Sequence, residues 1–173
     1  MKVIIPFQGL SNYETSIDEN KQKSSCGPLT ASAILKHHEK KVYPINDLYK
    51  LLGTTPIGLF TWRLVRRWRK VTSSKNYEVK KIRSIEEVKN ELIAGRPLAM
   101  KFDRYFSFRW FDKPIFNYHW VPLIGFEEED DDLVLYIHDS RQRNRPSKIR
   151  TVSYKRHQKL LTFVKIKPIH PKG

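Results

Sequence analysis

The sequence predicts a single α+β domain. Helical patterns fill the chain up to Gly95, strand patterns dominate beyond Pro97, and neither a repeat nor a linker divides it. That order reads as N-terminal helices packed on a C-terminal antiparallel sheet. With 173 residues the chain is long enough for one sizeable core and short for two, so residues 1–173 are taken as one domain. A hydrophobic content of 39% with 12% aromatics excludes a disordered chain.

Taken in order, residues 3–7 form a short strand closed by Pro6, and residues 9–25 are polar and aperiodic, hence a loop. A helix is expected from about Gly27 to Glu39. Pro28 suits its first turn, where a missing N–H costs nothing, and Ala31, Ile34, Leu35 and His38 recur on one face, with His38 as a core histidine. Asn46 would cap a second helix running to Leu52 and stopped by Gly53. A third follows Gly58 through Arg69, turning Leu64, Val65, Trp68 and Val71 inward and crowding Arg63, Arg66, Arg67, Arg69 and Lys70 over the rest. Residues 77–82 read as a strand. Ser84-Ile85-Glu86-Glu87 is a capping-box pattern opening a helix that carries Ile85, Val88 and Leu92 inward. Strands are then expected at 98–102, 119–126, 133–139 and 161–166, with an aromatic loop at 105–116 as a wall or lid of a cleft.

Lysine and arginine number 33 against 18 acidic residues, a net charge of +15. Such a field favours acidic partners and is silent about fold. No apolar stretch reaches the roughly 20 residues of a membrane span, and the N-terminus lacks a signal-peptide pattern. A single cysteine excludes an internal disulfide and fits a reducing, cytoplasmic setting, although a mature secreted form would look the same.

That cysteine, Cys26, stands where a helix begins. The positive end of a helix dipole favours a thiolate, the reactive form of the side chain; a lone thiol can equally be a small buried hydrophobe. The strands downstream supply what a nucleophile needs. If 119–126 and 133–139 form a hairpin centred near Glu129, then His119 and Asp139 are equidistant from the turn and face one another. Opposed Cβ atoms in such a pair are about 4.5–5.5 Å apart. A one-residue slip would separate the two side chains onto opposite faces. A carboxylate on one imidazole nitrogen fixes the tautomer and leaves the other nitrogen to take a thiol proton, and Cys, His and Asp then make a nucleophilic site.

Ser25-Cys26-Gly27-Pro28 entering a helix resembles the nucleophile segment of the C39-like branch of the papain-like cysteine proteinases. The run from Tyr118 to Phe126 is similar to that family's histidine strand, Tyr136 to Ser140 to the strand that follows, and 84–97, between the cysteine and the histidine strand, to the family's helix and Arg-Pro strand entry. The resemblance covers most of residues 1–166. It implies a papain-like fold, with Cys26 as nucleophile, His119 as general base and Asp139 as orienting partner, attacking an acyl carbonyl of a peptide or other amide through a thioester; family activities include peptidases, and related folds serve as amidases and acyltransferases. Asn117-Tyr118 and Ser140 depart from the family pattern, which usually has glycine before the histidine and proline after the aspartate. Pro122 inside a strand suggests an edge or a bulge. The family's oxyanion amide has no settled counterpart: Asn20 has the spacing, Gln22 has the side chain and is slightly preferred, and Gln8 or Asn12 would serve if the polar loop is an insertion.

Two other readings stay open. The basic clusters at 63–70 and 141–150, with Trp62, Trp68, Phe108 and Trp110 for stacking, would suit nucleic acid or another polyanion, although no DNA- or RNA-binding motif accompanies them. A papain-like fold could also serve as an inactive binding domain. No cofactor is implied. A metal site is disfavoured, since His37 and His38 are adjacent and no further ligand sits at metal spacing; His138 should point away from Asp139, and His157 and His170 lie in polar stretches.

Overall fold

In the computed structural model, residues 1–11, 16–72, 76–103, 119–140 and 147–169 are described. The strands are β1 (Lys2–Ile4), β2 (Tyr77–Ile82), β3 (Leu98–Phe102), β4 (His119–Glu128), β5 (Leu133–Asp139), β6 (Lys148–Ser153) and β7 (Leu161–Pro168). The helices are α1 (Cys26–Glu39), α2 (Ile45–Leu51), α3 (Thr61–Arg67), α4 (Ile85–Ile93) and the single turn α5 (Tyr154–His157). All strand pairs are antiparallel, in the order β2-β7-β3-β4-β5-β6. β1 pairs with the turn end of β4. The strand that the sequence pattern hides is β6, whose Lys148 and Arg150 and largely exposed or half-buried residues disguise it as part of a basic loop.

The sheet is covered on both faces. Leu98, Met100 and Phe102 of β3 join Val121 and Leu123 of β4 in one core with Val88 and Leu92 of α4. The alternate residues Ala99 and Trp120 meet Ala31, Ile34 and Leu35 of α1, together with Leu64 and Trp68, on the other side. α4 therefore packs opposite α1, a partition the helices-first reading did not resolve. α1 is buried on every side from Cys26 to Leu35 because Leu29 also meets Ile17 and Ile45. A helix enclosed in this way belongs to the interior of its domain.

Several local expectations are corrected by the surroundings. Pro44, not Asn46, precedes α2; the Asn46 amide donates to the Ser16 carbonyl at 3.0 Å and ties down the preceding loop instead. Gly58 closes a tight turn with Thr55, and α3 begins three residues later. Ser84 does cap α4, accepting from the Glu87 amide. The Glu87 carboxylate meets Lys165 and Lys80.

The β4–β5 hairpin turns later than expected. Glu128 pairs with Leu133, and Glu129 N–H donates to the Asp132 carbonyl at 2.9 Å, so the loop is 129–132. The Asp132 carboxylate accepts from the amides of Leu133 and Lys155 and from the Ser153 hydroxyl, and these bonds lock the turn against α5. A register shift between Leu123 and Gly125 follows, leaving Ile124 as an extra residue. Gly125 is required there: a Cβ at this position would run into the Val3 carbonyl oxygen where β1 crosses.

Candidate active site

Cys26 is the first residue of α1 and is 5% exposed. Ser25 does not cap the helix with its side chain; its hydroxyl turns back to donate to the Gln22 carbonyl at 3.0 Å. The thiol therefore sits on a helix start bearing no acidic residue in its first turn, where the dipole favours negative charge. Gly27 lets this end approach Leu59: a Cβ on it would lie 2.6 Å from the Leu59 Cβ. The Leu59 carbonyl accepts the Trp120 indole N–H at 2.8 Å. Cys26, Leu59 and Trp120 belong to one packed cluster on the α1 side of the sheet.

His119 is the first residue of β4, immediately before Trp120, and is 1% exposed. Its Nε2 lies 3.4 Å from Asp139 Oδ1 at the end of β5, where the carboxylate is equally enclosed. Arg150 on β6 holds the other oxygen, with Nε 2.9 Å from Oδ2. The pair thus meets, but not in the expected register. Leu123 faces Ile137, which sets Asp139 diagonal to His119 by two residues. A two-residue offset keeps both side chains on one face. Diagonal neighbours are about 7–8 Å apart at the backbone, still within reach of long side chains.

The oxyanion candidates are less concentrated. Gln22 lies in a 3-10 turn (Gln22–Ser24), and its amide donates to the Ile17 carbonyl at 3.3 Å. Asn20 and Gln8 are exposed. Asn12, the aromatic loop at 105–116, Asn117, Tyr118, Phe108, Trp110, His170 and the basic residues 141–146 lie outside the described residues.

One functional candidate was missed by the sequence reading. Lys101 on β3 is 5% exposed and lies opposite Trp120 in the β3–β4 ladder. Burial lowers its pKa, while Asp103 and Cys26 act to raise it. The signal available was a lysine in an otherwise apolar strand, Leu98-Ala99-Met100-Lys101-Phe102.

The remaining histidines stand apart. His138 turns to the face opposite Asp139, against Phe7 and Ser147, and burial lowers its pKa. His38 packs near Tyr77; burial holds it down to about 4, helped by the neighbouring His37. Among the described residues no three His, Cys, Asp or Glu side chains cluster to hold a metal ion, and no helix is long and apolar enough to cross a membrane. Of the aromatic residues proposed for stacking, Trp68 is core at 2% exposure, whereas Trp62 is 55% exposed. Arg63 stacks over Trp62 and donates to the Gly53 carbonyl, and Arg66, Arg69 and Lys70 are exposed.

A family model described as the Peptidase_C39 like family matches residues 11–167. The chain belongs to this family. Its fold is that of C39-like peptidase domains. Over 94% of this chain and 98% of the other, it matches the peptidase domain of Streptococcus ComA, a bi-functional ABC transporter involved in a quorum-sensing pathway, with a TM-score of 0.62 and 17% identity. A protein described as a C39-like peptidase from Bacillus anthracis matches over 96% of this chain and 98% of its own, with a TM-score of 0.66 and 14% identity. No curated protein sequence matches. Membership of this C39-like family is consistent with a cysteine peptidase.

Proposed function

We propose that this C39-like protein is a cysteine-dependent acyl hydrolase acting on peptides, with Cys26 as nucleophile, His119 as general base and Asp139 as its orienting partner. The observation that carries this reading is the enclosed His119–Asp139 contact at 3.4 Å. It engages Nε2, so the thiol proton would pass to Nδ1, and a carboxylate in that position stabilises the imidazolium that forms. Alternation along β4 sends His119 and Trp120 to opposite faces. The imidazole would therefore meet the thiol around the end of the sheet, where His119 is the first strand residue.

In the proposed reaction the thiolate attacks the scissile carbonyl and the electron pair moves onto oxygen. The oxyanion would be received at the start of α1 by the Cys26 N–H. Gln22 is the preferred side-chain donor and must first leave the Ile17 carbonyl; Asn20 is the alternative. Collapse of the tetrahedral adduct breaks the C–N bond, and His119 gives its proton to the departing amine. Water, deprotonated by His119, then hydrolyses the thioester and restores the thiol. The exposed Arg66, Arg69 and Lys70 beside Trp62 favour acidic partners, which supports a second reading as a polyanion-binding module.

Alkylation tests the first reading directly. Cys26 should react with iodoacetamide at pH 6 much faster than cysteine in solution, and His119→Ala should abolish the excess. An inert Cys26 in the folded protein would leave it as a buried structural thiol.

A further inference from the structure

Lys101 is a buried cation in a central strand. Its side chain is 6% exposed, and Nζ lies 3.8 Å from the Asp103 carboxylate, 3.5 Å from Thr61 Oγ1 and 5.7 Å from the centre of the Trp120 ring. Two of these partners, Trp120 and Thr61, lead back to the segment beside Cys26. Trp120 donates to the Leu59 carbonyl, Gly27 next to Cys26 is packed on Leu59, and Thr61 follows two residues on. Lys101 lies opposite Trp120 and on the same face of the sheet, and Trp120 shares its packed cluster with Cys26; Cys26 acts to raise the proton affinity of the lysine.

Resting on the nucleophile reading, we propose that Lys101 is a positioning residue for the thiolate. Its ammonium, held by Asp103, Thr61 and the Trp120 ring on the α1 face of the sheet, stabilises the negative form of Cys26. Enclosed surroundings make this effective, because charges separated by several ångströms interact several times more strongly there than in water. They also make a lysine costly to keep for packing alone. Asp103 meets the ammonium at the long end of ion-pair distance, with its own side chain 22% exposed.

The other charged groups bearing on the pair are few among the described residues. Lys81 on β2 opposes protonation of Lys101, and Asp103 favours it. His119, with Asp139 and Arg150 behind it, lies at the start of β4. The first turn of α1 holds no acidic residue to compete for the ammonium. Linkage is reciprocal: a thiolate that raises the proton affinity of Lys101 has its own proton affinity lowered by the ammonium.

The test is the pH profile of Cys26 alkylation by iodoacetamide in the whole chain, with near-ultraviolet circular dichroism confirming the fold of each variant. Lys101→Met should move the thiolate midpoint up by about one unit and slow alkylation at pH 6 about tenfold. Lys101→Arg should restore most of the rate. A folded Lys101→Met protein with the wild-type profile overturns the proposal. Should that variant not fold, NMR titration of Lys101 in Cys26→Ala reads the same coupling from the other side. The lysine midpoint should fall when the thiolate is removed, and an unchanged midpoint overturns the proposal. A reactive Cys26 that ignores Lys101 refutes only this inference, whereas an inert wild-type Cys26 removes the nucleophile reading beneath it.

Discussion

Asp139 reaches His119 across two strands whose turn-proximal register would hold them apart. Near the turn, Glu128 pairs with Leu133 and Phe126 with Leu135; continued unchanged, that ladder would send His119 and Asp139 to opposite faces of the sheet. The irregularity between Leu123 and Gly125 changes the pairing by one residue, and the side-chain period of two does the rest. One inserted residue, Ile124, thus decides whether an imidazole and a carboxylate share a face. The resulting contact is 3.4 Å and almost wholly enclosed.

Asp139→Asn should leave a folded protein whose Cys26 is much less reactive. An amide can hold the imidazole but does not stabilise its charged form, and general acid–base contributions are typically 10²–10⁴-fold. Measured alkylation rates at neutral pH should fall by roughly 10²-fold; a wild-type rate would show that His119 needs no carboxylate.

Gly27→Ala should destabilise the domain by about 1–3 kcal/mol, the usual penalty for overpacking. The added Cβ would sit 2.6 Å from the Leu59 Cβ, so the start of α1 or the 59–61 segment must move. Urea unfolding measures the loss, and combining the change with Leu59→Gly, which removes the opposing Cβ, should cost less than the sum of the two single substitutions through coupling between the sites.

Trp120→Phe retains most of the ring and removes its donor to the Leu59 carbonyl, a 2.8 Å buried bond. The expected cost is about 1–3 kcal/mol. Chemical denaturation should report it, and a neutral substitution would mean that this bond does not hold the 59–61 segment to β4.

His38 should make stability fall on acidification. Its pKa, held to about 4 by burial and by His37, lies below the ordinary value of 6.5. The unfolded chain therefore binds the proton first. The stabilisation is complete above about pH 6.5 and is lost progressively as pH falls towards 4, amounting to about 2–4 kcal/mol. Urea midpoints measured across this window should flatten in His38→Gln; an unchanged slope would assign the acid sensitivity to other groups.

The elements whose signals are local were legible. Residues 77–82, 98–102 and 133–139 are strands as their patterning indicates, and Ser84 caps α4 through the Glu87 amide. β6 was hidden because Arg150 and Lys148 carry charge on a strand at the sheet's margin; Arg150 is there to meet Asp139. Asn46 was misassigned as a cap because its real partners, Ser16 and Asp18, lie 30 and 28 residues away. The Lys101 environment was invisible for the same reason: Thr61 and Trp120 come from other parts of the chain.

By itself the sequence determined the α+β class, the family likeness and the chemistry at hand: one thiol at a helix start, a histidine and an aspartate on consecutive strands. Those are properties of periodicity, of capping residues and of short motifs, all written within a few neighbouring residues. Tertiary structure alone decided where the hairpin turns, how the Ile124 bulge aligns His119 with Asp139, and that a lysine is buried on the sheet face whose core includes Cys26. Register and burial depend on which distant segments compete for the same hydrogen bonds and the same space, and here Asp132 fixing the turn and Gly125 admitting β1 settled both.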